Sequence, residues 1–135
     1  MEGKIVQIIG PVVDVEFSES VPPIYTALET PHAGERKVFE VAQHLGNGRV
    51  RAISMSSTDG LSRGLSVTNT GAPISVPVGQ AALGRMFNVI GDPIDGKEEV
   101  PKNAARLPIH RDPPPFSRQS TKAEVFETGI KAVDL

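Results

Sequence analysis

From its first residues the chain alternates apolar and polar side chains with a period of two, and turn formers break the alternation at short intervals. KIVQII is apolar and β-branched and stops at Gly10-Pro11. VVDVEF follows, with Val13, Val15 and Phe17 on one face and Asp14 and Glu16 on the other. Pro22-Pro23 marks a loop ahead of IYTALET. RKVFEVAQHL and RVRAISM flank Gly46-Asn47-Gly48, and Asn-Gly between two such runs signals a tight hairpin. LSVTN and ISVPV complete the series, with Ile74, Val76 and Val78 alternating inward. Six or seven short strands at this spacing predict a small closed or nearly closed antiparallel barrel, and closure removes the sheet edges that would invite aggregation.

The texture changes after Gly79, so the pattern divides into a barrel over residues 1–79 and a second segment over 80–135. Six of the twelve prolines fall between Pro93 and Pro115, which excludes a long helix or a central strand there. That stretch reads as an extended, partly polyproline connection. In STKAEVFETGIKAVDL, Thr121 and Glu124 form a candidate capping box, and Phe126, Ile130 and Val133 fall on one helical face. Gly129 interrupts the run, which allows one helix or two short pieces. The pattern breaks off at Leu135 without a cap, as expected of a cut end. The apolar tail has no evident partner of its own and is expected to borrow a neighbour's surface or to be poorly ordered.

Composition narrows the function classes. The hydrophobic fraction of 39% supports a core, and 4% aromatics without Trp make that core aliphatic. A net charge of −2 and the absence of a Lys/Arg run give no field that would gather nucleic acid or anionic lipid. There is no cysteine, so disulfide and thiol chemistry are excluded, in keeping with a reducing compartment. No apolar run approaches the roughly 18 residues of a membrane-spanning helix. A cytoplasmic protein, attached to a membrane at most through partners, is the expectation.

One stretch invites a nucleotide reading. GDPIDGKE, residues 91–98, has the spacing of a phosphate loop, but Glu98 stands where a hydroxyl would ligate magnesium. Asp92 and Asp95 would repel a phosphate, Pro93 offers no N–H, and Pro101 spoils the helix that should follow. It reads as a turn. In TDGLSRG, Asp59-Gly60 and Arg63-Gly64 suit two tight turns at a barrel rim. His32, His44 and His110 lack metal-ligand spacing, and His110 is expected to make a local contact with Arg111 or Asp112. The pairs Asp14/Glu16 and Glu98/Glu99 read as solvated faces, and no G-x-S-x-G elbow is present. No catalytic, cofactor-binding or metal-ligating residue is assigned.

The order of these pieces is more specific than any one of them. GKIVQIIGPVVDVEF, HLGNGRVRAISMSSTDGLSRGLSV, ISVPVG, LGRMFNVIGDPIDGK, PIHRDPPPF and ETGIKAVDL closely resemble the N-terminal part of the beta-subunit family of F-type ATP synthases. The resemblance spans essentially the whole chain and departs only in loops, at HAGERK and at the Asp-Pro-Pro-Pro run. Alpha subunits, vacuolar-type subunits and the flagellar and secretion ATPases share the architecture and fit these strings less well. A free-standing OB-like binding barrel is the alternative from another class.

The resemblance implies a six-stranded barrel up to about Val78, followed by the truncated start of a RecA-like α/β nucleotide-binding domain whose own phosphate loop comes after ETGIKAVDL. It implies ATP or ADP with Mg2+ in the full-length subunit and none in this segment. Implied partners are alpha subunits of an alternating ring and the central-stalk gamma subunit. The implied place is the cytoplasmic face of a bacterial-type inner membrane, with proton flow driving ATP synthesis. Asp59, Gly60 and Arg63 are the candidate subunit-interface residues.

Overall fold

The computed structural model describes residues 1–134, and Leu135 lies outside the described residues. Six strands form the barrel: β1 (Glu2–Ile9), β2 (Val12–Phe17), β3 (Thr26–His32), β4 (Glu35–Gly46), β5 (Arg49–Ser54) and β6 (Ser66–Pro73). They close in the order β1-β2-β5-β4-β3-β6, and β6 returns to β1 through Lys4↔Ser66 and Glu2↔Thr68. Every neighbouring pair is antiparallel. At Gly46-Asn47-Gly48 all three residues have positive φ, and Gly46 faces Arg49. Asn47 and Gly48 thus form the two-residue turn, left-handed at both centres, that matches the twist of the flanking strands. The twelve-residue β4 pairs through its first half with β3 and through its second with β5. Register shifts at Val41/Gln43 and His44/Gly46 bend it around the barrel wall.

Alternation along each strand fills the interior with Ile5, Val13, Val15, Phe17, Leu28, Phe39, Val41, Val50, Ala52 and Val67. Gly3 occupies an inward position for lack of space: a Cβ there would lie 2.7 Å from Val15 Cγ1 and 2.8 Å from the Phe17 ring. The glycine admits the phenyl ring to the barrel end. Thr30 is buried on the same side and donates its hydroxyl to the Ser66 carbonyl at 2.8 Å. Lys37 ends the inward row of β4, with Nζ reaching Glu35 at 2.8 Å.

A second apolar cluster lies outside the barrel, on the outer face of β3 and β4, where Ala27 and Val38 meet Ile74, Met55 and Ile90. The ISVPV segment departs here from the sequence expectation. Ile74 is buried against this outer face, and β7 (Ser75–Pro77) leaves the barrel to pair with β8 (Arg106–Pro108) in a separate two-stranded sheet. Val76 and Val78 are half-buried rather than inward-facing. The reason is closure: once β6 pairs with both β3 and β1, the barrel has no free edge to accept another strand. The proline-rich stretch also pairs over the three residues of β8 and otherwise stays irregular or extended, apart from a 3-10 turn at Phe116–Arg118.

The tail does not form the expected capping box. Residues 121–130 are not helical, and the only α-helix among the described residues is α1 (Lys131–Asp134). Gly129 adopts φ +74°, and the Asp134 carboxylate accepts from the Thr128 and Gly129 N–H groups and the Thr128 hydroxyl. Phe126 is 85% exposed, and Ile130 and Val133 are exposed as well. An amphipathic stretch this short gains helical stability from a surface on which to bury its apolar face, and none is present. The described residues after Gly79 do not build a RecA-like fold.

Candidate assembly surface

The two walls of the barrel differ. Ile74 and Ile90 cover the β3–β4 wall, whereas the wall of β1, β2 and β5 faces outward. Strand pairing orders this open wall into rungs. At one end Lys4, Glu16 and Arg49 are in register, with Arg49 Nε donating to Glu16 at 2.9 Å. The next rung joins Asp14 to Arg51 by two hydrogen bonds, Nε to Oδ1 at 2.8 Å and Nη2 to Oδ2 at 2.9 Å. The Asp14 bond and charge raise the Arg51 pKa further above its ordinary value. Asp14 is only 5% exposed, which corrects its reading as part of a solvated face. Outward direction on a strand does not ensure hydration when a guanidinium lies over the carboxylate.

At the other end the rung is apolar. Ile9 pairs with Val12 and Val12 with Ile53, and Ile9 and Ile53 are 58% and 43% exposed. The row continues to Glu40 on β4. The sequence reading missed these three residues. Ile53 was visible in the alternation of RVRAIS, where Val50 and Ala52 point in. Ile9 was hidden by the register shift between Ile5 and Gln7, which reverses the outward positions along β1.

The predicted interface residues lie at one barrel end. Thr58 donates its hydroxyl to the Gly10 carbonyl at 2.8 Å, and Gly64 N–H bonds the Ile5 carbonyl at 2.8 Å, so the 58–64 turn spans from the β1–β2 turn to the β1 backbone. Gly60 lies against His32, where a Cβ would come within 2.9 Å of Nε2. Asp59 is exposed and accepts the Ser57 hydroxyl at 2.7 Å. Arg63 is exposed beside Val6, Gln7 and Ile8 of β1 and forms no ion pair among the described residues. Arg63 therefore borders the open wall, while Asp59 and Gly60 sit at the barrel end.

GDPIDGKE folds as the return half of a compact hairpin. Asn88 N–H bonds the Asp92 carbonyl, and Ile94 N–H bonds the Met86 carbonyl, each at 2.9 Å. The Asp92 N–H goes to Asn88 Oδ1 at 2.8 Å and the Lys97 N–H to Asp95 at 3.2 Å. Lys97 Nζ donates to the Gly84 carbonyl at 2.9 Å. A phosphate loop must present consecutive free N–H groups to an anion, but here the Gly91, Asp92, Ile94 and Lys97 N–H groups are bonded to the hairpin's own oxygens and Pro93 has none. These residues do not fit a nucleotide phosphate or its magnesium. Arg36 of β4 fastens the hairpin to the barrel, contacting Asp92 at 2.9 and 3.1 Å and Glu29 at 3.0 Å.

His44 makes a ring-nitrogen hydrogen bond to the Pro22 carbonyl at 2.8 Å. His110 does not pair with its sequence neighbours: its Nε2 lies 3.0 Å from both Glu40 carboxylate oxygens, on β4. No helix among the described residues is long and apolar enough to cross a membrane.

The fold is thus a closed six-stranded antiparallel barrel with one wall covered by its own chain and one left open. Residues 5–71 match the family model described as ATP synthase alpha/beta family, beta-barrel domain. This stretch is the N-terminal barrel domain of that family, whose members assemble into oligomeric ATPase rings.

Proposed function

We propose that the chain is the N-terminal part of the beta subunit of an F-type ATP synthase, and that its barrel holds an alternating alpha/beta ring together. The observation that carries the choice of subunit is the ordered set of strings beyond the matched barrel: LGRMFNVIGDPIDGK, PIHRDPPPF and ETGIKAVDL. In this reading the alpha subunits flank the barrel and the gamma subunit acts on the full-length subunit. ATP or ADP with Mg2+ binds to the full-length subunit outside this segment. The complex lies on the cytoplasmic face of the membrane and makes ATP at the expense of proton flow. The open β1–β2–β5 wall with its Ile9–Val12–Ile53 row, bordered by Arg63, supplies contact area of mixed apolar and paired-charge character.

Co-expression with candidate partners tests the assignment. Co-purification with an alpha subunit in preference to self-association is the expected result. Self-association into a homo-oligomer without affinity for alpha would instead support a homohexameric secretion-type ATPase. A salt-dependent complex with single-stranded RNA would support a free-standing binding barrel.

A further inference from the structure

The loop that enters β3 contains a backbone conformation its sequence does not favour. Tyr25 has φ +69° at the third position of a turn closed by the Thr26 N–H to the Pro23 carbonyl at 3.2 Å. A turn with positive φ only at that position ordinarily places glycine or asparagine there, and a bulky aromatic is strained. The surroundings hold the conformation on both sides. Pro22 is fully buried with its carbonyl bonded to His44, and the Tyr25 N–H bonds the Val41 carbonyl at 2.7 Å. The strain leaves the phenol ring on the surface, where it stacks on the His110 imidazole with centroids 4.2 Å apart and planes inclined by 28°. The other partner of that imidazole is Glu40, on the barrel wall.

We propose that Tyr25, His110 and Glu40 form a clip that fixes the proline-rich connection to the barrel, and that the strained backbone at Tyr25 is retained because it presents the ring to His110. The clip acts just after β8, whose three pairs with β7 are a short hold for a chain that next runs into Pro113-Pro114-Pro115. With His110 fastened to β4 through Glu40, the direction in which the chain leaves is set by the barrel itself. Strain kept where a neighbouring sequence would relieve it marks a functional constraint. Tyr25 is a positioning residue in this role.

Amide hydrogen exchange on the full chain tests the clip, because the Ile109 N–H bonds the Ile74 carbonyl at 3.0 Å and reports on docking of this segment. Tyr25→Gly and Tyr25→Asn both relieve the backbone and remove the stacking ring, whereas Tyr25→Phe keeps the ring. The first two are expected to speed exchange at Ile109 on the order of tenfold, leaving Phe39 and Val41 protected, and Tyr25→Phe is expected to leave Ile109 unchanged. His110→Ala, outside the barrel, is expected to reproduce the loosening. Unchanged exchange at Ile109 in Tyr25→Gly and His110→Ala would overturn the proposal. So would a parallel rise at Phe39 and Val41, which would make Tyr25 a residue of the barrel fold rather than of the clip.

Discussion

The Arg85 guanidinium closes the acidic turn on Asp95, with Nε 2.6 Å from one carboxylate oxygen and Nη2 3.1 Å from the other. The Met86 and Lys97 N–H groups complete the carboxylate's shell at 3.3 and 3.2 Å. Arg85 Nη2 also donates to the Glu98 carbonyl at 2.7 Å, so one side chain ties both ends of the turn. The carboxylate that would have repelled a phosphate is instead the element that organises the hairpin.

This arrangement sets a pH dependence. The Arg85 hydrogen bonds hold the Asp95 carboxyl well below the usual carboxylate range, with the Lys97 and Met86 N–H groups assisting against burial, which acts in the opposite direction. A depressed carboxyl contributes stability that is fully present above the unfolded pKa of about 3.9 and is lost progressively as pH falls from there through the folded value. Exchange at the Ile94 amide, bonded to the Met86 carbonyl, is expected to remain slow at pH 4 and to rise only in strongly acid solution. In Arg85→Ala the rise is expected to move up toward the ordinary carboxylate range. A wild-type hairpin that opens near that range would contradict this role for Asp95.

Lys97 supports the same turn from its other side, through the Gly84 carbonyl. In the proposed full-length beta subunit, Lys97→Ala is therefore expected to leave nucleotide affinity nearly unchanged, measured by equilibrium titration with Mg-ATP. A phosphate-loop lysine reaches the terminal phosphates, and its loss would weaken binding severely. A large loss of affinity would show that the hairpin is part of a nucleotide site.

Barrel packing gives a stability test. Phe39→Ala removes a fully buried ring and is expected to cost about 3–5 kcal/mol in urea unfolding. Gly3→Ala adds one methyl group where Val15 and the Phe17 ring already lie within 2.9 Å, and is expected to cost about 1–3 kcal/mol. Combining Gly3→Ala with Phe17→Leu should recover part of that loss, because the two residues share one space. An additive double mutant would show that Gly3 serves another purpose.

The barrel was legible because its signals are local and repeat. Alternation in VVDVEF and RVRAIS and the Gly46-Asn47-Gly48 turn act within a few residues and appear in the structure where the sequence placed them. What escaped depends on partners distant in the chain. ISVPV has the alternation of a barrel strand, but β1 and β3 had already taken both edges of β6. Burial of Asp14 depends on Arg51, 37 residues away, and the partner of His110 is Glu40, 70 residues away. The helical periodicity of Phe126, Ile130 and Val133 was real, but periodicity forms a helix only where a surface receives it. Turn chemistry put Arg63 at a barrel rim, but its place beside β1 and the Ile9–Val12–Ile53 row both required the folded structure.

The most direct test of an assembly role is sedimentation velocity of the 14.4 kDa chain mixed with an alpha subunit, with and without Ile53→Asp. The substitution places a charge in the exposed apolar row and leaves the inward face of β5 untouched. A faster-sedimenting complex is expected with the wild-type chain, and its loss is expected with Ile53→Asp. A wild-type chain that sediments alone in the mixture, or a complex indifferent to the substitution, would contradict assembly through the β1–β2–β5 wall.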